Sequence, residues 1–105
     1  MQTVALHTRL RAGKEDEYER VHAEIPADLD VALREAGVHA WRIWRSGRDL
    51  FHLVECDDFV AMREHLRTHP ANVPWQARMA KLLEVSDDYS GAEPDVHLVW
   101  ALPIK

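Results

Sequence analysis

Cysteine and glycine are scarce in this chain of 105 residues, which contains one cysteine, Cys56, and four well-separated glycines. A lone cysteine cannot form an intramolecular disulfide, which is compatible with a reducing compartment such as the cytoplasm. Scattered glycines do not build the loop that cradles phosphates, which argues against a nucleotide cofactor. The chain also lacks a signal-peptide layout and any run of about 18 apolar residues, so we expect neither export nor a membrane span.

Basic residues are outnumbered, and the formal net charge is −5. Phosphate binding needs clustered Lys and Arg, but the nearest approach to a cluster, Arg42, Arg45 and Arg48, reads as solvated strand and turn residues. We therefore expect no nucleic acid partner. The apolar fraction of 47% can supply a core, and the length suits one domain covering residues 1–105.

The first half of the chain predicts a strand followed by helical segments. Residues 3–9 alternate with period two, as in a half-buried strand. Residues 14–24 carry apolar side chains at helical spacing, and this stripe continues to Ala36. Pro26 interrupts it, so we expect a kink or a restart there, and Gly37 is a natural helix stop.

A hairpin is predicted next, from strands at 38–45 and 49–56 joined by a turn at Gly47. Asp57 or Asp58 can cap the helix that follows, which carries a weaker apolar stripe.

The end of the chain predicts a further helical segment from residues 72–74, a loop at 87–94 and a last strand at 95–102. Two strand–helix–strand halves make an α+β fold. We expect a ferredoxin-like four-stranded antiparallel sheet with helices on one face. Strand alternation places Trp41 and Trp44 on opposite faces, so at least one large aromatic should point away from the helices. That predicts a pocket or a homodimer interface on the open face.

His22 is the most informative of the seven histidines. It lies one helical turn after Tyr18, so imidazole and phenol can line the same pocket. Both groups can exchange protons, and imidazole does so near neutral pH. The alternative from the pattern alone is a pair of core residues, each with a satisfied hydrogen bond.

Metal binding is not expected. His65 and His69 have i, i+4 spacing, but the Glu that marks a metalloprotease helix is absent and Pro70 suggests that the helix ends there. Cys56 has no motif around it and reads as a buried, inert thiol.

Four blocks together give the chain a resemblance to the L-rhamnose mutarotase family. They are Tyr18-Glu19-Arg20-Val21-His22, the hairpin at 41–55, His69-Pro70 followed by Trp75-Gln76-Ala77-Arg78-Met79, and an aromatic terminal segment at 96–103. Each block alone is weak, whereas their order and spacing are specific.

The resemblance implies an isomerase of carbohydrate metabolism. Family members are ferredoxin-like homodimers of the dimeric α/β-barrel type that interconvert the α and β anomers of L-rhamnose without a cofactor. The family's catalytic histidine corresponds to His22 and its pocket tyrosine to Tyr18. The substrate-binding residues predicted from the blocks are Trp75, Gln76, Trp41 and Trp100.

Two departures from the family pattern leave the sugar open between L-rhamnose and L-fucose. Gln76 replaces the second tryptophan of the usual pair, and the segment 25–29 lacks a further tryptophan. Two other classes share the expected fold, a cofactor-independent monooxygenase and a non-catalytic binding domain. The first would need an apolar cavity for a polycyclic substrate.

Overall fold

The computed structural model describes residues 1–86, 89 and 96–103. Its elements in chain order are β1 (Gln2–Leu10), α1 (Glu15–His22), α2 (Ala27–Glu35), β2 (Val38–Ser46), β3 (Asp49–Cys56), α3 (Phe59–Arg67), α4 (Asn72–Ala80) and β4 (Leu83–Val85). Among these described helices, none has the length and apolar character needed to cross a membrane.

The strands form one antiparallel sheet in the order β2-β3-β1-β4. The register pairs His52 of β3 with Leu6 of β1 on one side and with Ile43 of β2 on the other. This arrangement confirms the predicted four-stranded antiparallel sheet, and the ends of β3 match the prediction.

The helices cover one face of this sheet. Leu6, Leu10, Leu50 and Val54 point toward them and are buried, because alternate strand residues share a face. Trp41 also lies on this inner face, whereas Trp44 is 54% exposed on the open face. The predicted separation of the two tryptophans is therefore confirmed.

Pro26 divides the long apolar stripe into α1 and α2 by a restart of the helix. It has extended backbone angles, with φ −56° and ψ 139°, immediately before α2 begins. Its carbonyl accepts the N–H groups of Leu29 and Asp30, each at 3.1 Å, so it serves the first turn of the new helix.

The turn residue of the hairpin and the capping residue of α3 have the roles predicted from the sequence. Gly47 turns the β2–β3 hairpin with φ 61°, a conformation that side chains disfavour. Asp58 caps α3, because its Oδ1 accepts the N–H of Ala61 at 3.1 Å. Asp57 instead pairs with Nε2 of His39 at 2.6 Å.

The predicted last strand at 95–102 is wrong. Residues 96–102 form no strand, and the fourth strand is β4, which follows α4 directly and pairs with β1. Since β4 takes the free edge of β1, the apolar segment at 96–102 has no strand to pair with in the described part of the chain. Leu98, Val99 and Trp100 are accordingly 82%, 94% and 69% exposed. Asp95 and the predicted loop at 87–94, apart from Tyr89, lie outside the described residues.

Candidate active site

A cavity of about 340 Å³ lies between the inner face of the sheet and helices α1, α2 and α4. This volume falls at the small end of the range of about 300–1,000 Å³ that is usual for ligand pockets. Its polar and aromatic lining consists of Thr8, Tyr18, His22, Trp41, His52, Asn72, Trp75, Gln76 and Tyr89. A mostly apolar wall with a few converging polar groups is typical of a small-molecule site.

Helix α1 contributes Tyr18 and His22 to this cavity. Their i, i+4 spacing brings the two rings together, with centroids 4.0 Å apart and an interplanar angle of 32°. The edge of the Trp75 ring from α4 completes the cluster, at a centroid distance of 5.1 Å from His22. Tyr18 is 4% exposed, whereas His22 is only partly buried.

The protonation of His22 follows from its hydrogen bond. Nδ1 lies 2.9 Å from the backbone carbonyl oxygen of Tyr18, which can only accept, so Nδ1 carries the proton. The neutral ring therefore has its lone pair on Nε2. Burial lowers the pKa of His22 below 6.5; the Tyr18 carbonyl opposes this shift and the positive charge of Arg78 adds to it. His22 is thus suited to act as a base at neutral pH.

Helix α4 places Gln76 at the cavity through a short chain of hydrogen bonds. The Gln76 amide donates to Oδ1 of Asn72 at 3.2 Å, and Nδ2 of Asn72 donates to the carbonyl of Leu66 at 2.9 Å. Asn72 is 2% exposed, so its two partners satisfy a buried amide. The amide group of Gln76 is therefore held beside the Trp75 wall.

The sheet side of the cavity carries a second polar group around His52. Nδ1 of His52 accepts the indole N–H of Trp41 at 3.1 Å, and Nε2 lies 2.8 Å from Oγ1 of Thr8. Burial lowers the pKa of His52 from 6.5 to about 4, and the neighbouring His22 and His7 contribute to the shift. His52 is therefore neutral at physiological pH.

The structure gathers all but one of the residues predicted for the site. Tyr18, His22, Trp41, Trp75 and Gln76 line the cavity. Trp100 lies outside it and is 69% exposed.

Sequence reasoning missed Thr8, His52, Asn72 and Tyr89 as cavity residues. Thr8 and His52 did leave a signal, because each is a polar residue that alternates with apolar residues at the neighbouring inward positions of its strand.

A separate cluster outside the cavity contains Glu35, His65 and His69, whose ligand atoms lie within 4.8 Å of one another. Nδ1 of His69, however, accepts the N–H of Ala71 at 3.0 Å. The neutral ring then carries its proton on Nε2, so neither nitrogen offers a lone pair to a metal in this arrangement. A metal would have to displace the Ala71 hydrogen bond.

Comparison with known sequences decides the family. The sequence profile described as L-rhamnose mutarotase matches residues 3–102. The chain belongs to the L-rhamnose mutarotase family. It is 35% identical over 101 residues to an L-rhamnose mutarotase from Agrobacterium fabrum, covering 94% of each chain. It is 34% identical over 95 residues to one from Opitutus terrae, covering 89% of this chain and 90% of that one.

Solved structures agree with the family at the level of the fold. An L-rhamnose mutarotase from Formosa agariphila superposes with a TM-score of 0.77 at 19% identity, covering 96% of this chain and 98% of that one. Tetracenomycin F2 cyclase from Streptomyces glaucescens, a type-II polyketide cyclase, superposes with a TM-score of 0.65 at 20% identity, covering 98% and 100%. The same ferredoxin-like fold therefore carries different chemistries, and the residues in the cavity must decide between them.

Proposed function

We propose that this protein is a mutarotase that interconverts the α and β anomers of L-rhamnose. The chain belongs to the L-rhamnose mutarotase family, and one observation carries the proposal. In its cavity His22, which is suited to act as a base, lies against Tyr18 and Trp75. Imidazole and phenol are the two proton-transferring groups that ring opening and closure require.

Mutarotation needs one proton removed and one delivered in each direction. Nε2 of His22 takes the proton of the anomeric hydroxyl while the bond between C1 and the ring oxygen breaks, and Tyr18 gives a proton to the ring oxygen. The open aldehyde then turns about its C1–C2 bond. Tyr18 recovers its proton from the hydroxyl that attacks C1, and His22 returns its proton to the carbonyl oxygen, which closes the ring on the other face. No cofactor enters this scheme.

Aromatic side chains and amides of the cavity hold the sugar. Trp75 and Trp41 offer flat apolar surfaces to the ring or the methyl group of a 6-deoxy sugar, and Gln76 offers an amide to its hydroxyls. Each aromatic contact can contribute about 1 kcal/mol, enough to favour one sugar over another. L-fucose remains the second candidate substrate, because Gln76 stands where the family usually has a tryptophan.

We also propose a single-domain homodimer that works in the cytoplasm. The open face of the sheet exposes Trp44 and Phe51, which pair directly across β2 and β3. Leu98 and Val99 of the C-terminal segment are exposed as well. Exposed apolar surface of this kind is typical of a subunit interface. The buried, unpaired Cys56 suits a reducing compartment.

Saturation-difference proton NMR on a panel of 6-deoxy and ordinary sugars tests the activity. Irradiating one anomeric signal and watching the other reports exchange directly. We expect the protein to accelerate exchange of L-rhamnose. Acceleration of L-fucose alone would assign the other sugar. Absence of exchange for every sugar would refute the mutarotase and leave the binding domain or, if oxygen is consumed, the monooxygenase.

The variant His22→Asn, measured in the same NMR assay of anomer exchange, tests whether His22 is the acid/base group. It should keep the fold and lose about 100-fold or more of the exchange rate, the usual contribution of general acid–base catalysis. The matched control is His65→Asn, which removes an exposed imidazole from α3 and should retain the wild-type rate. Full activity in His22→Asn would remove His22 from the mechanism.

A further inference from the structure

Three side chains that play no part in the proton transfers are linked by hydrogen bonds across the inner face of the sheet. They come from its three longest strands: Thr8 from β1, His52 from β3 and Trp41 from β2. In the register, Thr8 lies opposite Leu50 and Trp41 opposite Val54, so each is a diagonal neighbour of His52. Diagonal positions are within reach of long and aromatic side chains.

Donor and acceptor can be assigned in only one way for the two hydrogen bonds that link these side chains. The indole N–H of Trp41 donates and cannot accept, so Nδ1 of His52 must carry a lone pair. The neutral ring then has its proton on Nε2, which donates to Oγ1 of Thr8. Trp41 thereby fixes the tautomer of His52, and the Thr8 hydroxyl, which can accept, satisfies the buried Nε2–H. The position of the threonine hydroxyl and the orientation of the indole are coupled through one imidazole.

Burial decreases along these three hydrogen-bonded residues, from Thr8 at 1% exposed through His52 at 8% to the partly exposed Trp41. The ring of Trp41 also contacts His52 edge-on. A polar side chain in an apolar layer costs free energy unless it is paired, so leucine at position 52 would be buried at a lower cost of desolvation. What histidine adds is a single preferred direction for the indole N–H. This direction matters because Trp41 forms part of the cavity wall.

We propose that Thr8 and His52 are positioning residues that hold the indole of Trp41 in one orientation against the sugar and so determine how tightly the sugar binds. The proposal rests on the proposed function, because it requires Trp41 to contact the substrate. Neither Thr8 nor His52 takes part in the ring-opening chemistry, so the expected effect falls on KM and leaves kcat largely unchanged.

The first test compares His52→Leu with His52→Gln in anomer-exchange kinetics on L-rhamnose. Leucine fills the site but cannot accept from Trp41, and the loss of that hydrogen bond should raise KM about 5- to 10-fold with kcat within about twofold. Glutamine offers a carbonyl oxygen to Trp41 and an amide to Thr8, so it should restore most of the affinity. Thr8→Val should raise KM in the same direction, whereas its matched control on the exposed part of β1, Thr3→Val, should not.

The second test observes the indole directly. In the ¹⁵N–¹H spectrum the Nε1–H signal of Trp41, assigned by its disappearance in Trp41→Phe, should move upfield in His52→Leu and return toward its wild-type position in His52→Gln. In the Trp41→Phe background, His52→Leu should add little to KM, because the bond it breaks is already gone.

Five outcomes decide whether the proposal stands. A raised KM together with the moved indole signal supports the proposal. An active wild-type protein whose His52→Leu variant keeps its KM overturns the proposal and leaves the mutarotase function intact. A loss confined to kcat, or the same KM increase in Trp41→Phe as in wild type, also overturns it. A wild-type protein without anomer exchange overturns the proposed function and this proposal with it.

Discussion

His22 and His52 line the same cavity, but different partners hold their rings. Nδ1 of His22 donates to a backbone carbonyl, so its Nε2 lone pair remains available, whereas both nitrogens of His52 are engaged by side chains. Burial lowers the pKa of each. Environment thus gives two identical side chains different proposed roles, one as a base and the other as a support for Trp41.

Burial is the main cause of the lowered pKa of His22, and the charge of Arg78 should move the acid limb of the pH–rate profile further in the same direction. The proposed base is neutral His22, whose pKa lies below 6.5, so activity should fall as the pH drops through that lowered value. Arg78→Gln removes a positive charge that disfavours the imidazolium, so the pKa should rise and the acid limb should move to higher pH. Measuring the exchange rate between pH 4 and pH 8 checks this.

The control for this measurement is Arg34→Gln, which removes an exposed arginine of α2. Its acid limb should coincide with that of the wild type. An acid limb in Arg78→Gln that moves to lower pH would contradict the assignment of His22 as the titrating base.

Helices α1 and α3 begin for reasons that are readable locally. The first turn of α1 is acidic, with Glu15, Asp16 and Glu17, and its last turn carries Arg20, which suits the helix dipole. In α3 the Asp58 side chain caps the first turn. The acidic first turn favours a helix at α1, and the i, i+4 spacing on that helix then brings Tyr18 and His22 together.

The cap of α3 should have a measurable effect on stability. Asp58→Ala leaves the N–H of Ala61 without its side-chain acceptor and should lower the free energy of unfolding by about 1 kcal/mol. Asp58→Ser retains a capping oxygen and should lose much less. Urea unfolding at one fixed protein concentration compares the two variants, and equal losses in both would show that the cap contributes nothing.

The molecule as a whole has one covered and one open sheet face. Trp44 at 54% exposed and Phe51 at 47% exposed lie side by side on the open face. His7 lies next to Phe51, with ring centroids 5.4 Å apart. The proposed homodimer would cover this face and remove its aromatic surface from water.

Introducing charge on the open face should dissociate the dimer. Trp44→Glu or Phe51→Glu places a carboxylate where the proposed interface is apolar, and desolvating it should weaken association strongly. Light scattering coupled to size-exclusion chromatography measures the molar mass. Val31→Glu, which alters an equally exposed apolar residue on α2, should stay dimeric. A monomeric wild-type protein would refute the homodimer, and dimeric glutamate variants would place its interface elsewhere.

Periodicity and turn chemistry predicted most of the elements, because both act over a few residues. The hairpin around Gly47, the restart at Pro26 and the cap at Asp58 depend on backbone conformations that neighbouring side chains favour. The last strand was misplaced because a strand is defined by its partner. The three residues of β4 took the edge of β1 although the apolar segment at 96–102 is longer.

For the candidate site, the sequence by itself determined the local geometry of Tyr18 and His22, since i, i+4 spacing on a helix brings two side chains together wherever that helix lies. It also provided the order of motifs that identifies the family. Only the tertiary structure decided that Thr8, His52 and Trp41 form one hydrogen-bonded chain and that Asn72 supports Gln76. Contacts between strands depend on register and on which side chains share a face, and these are set by the packing of the whole sheet.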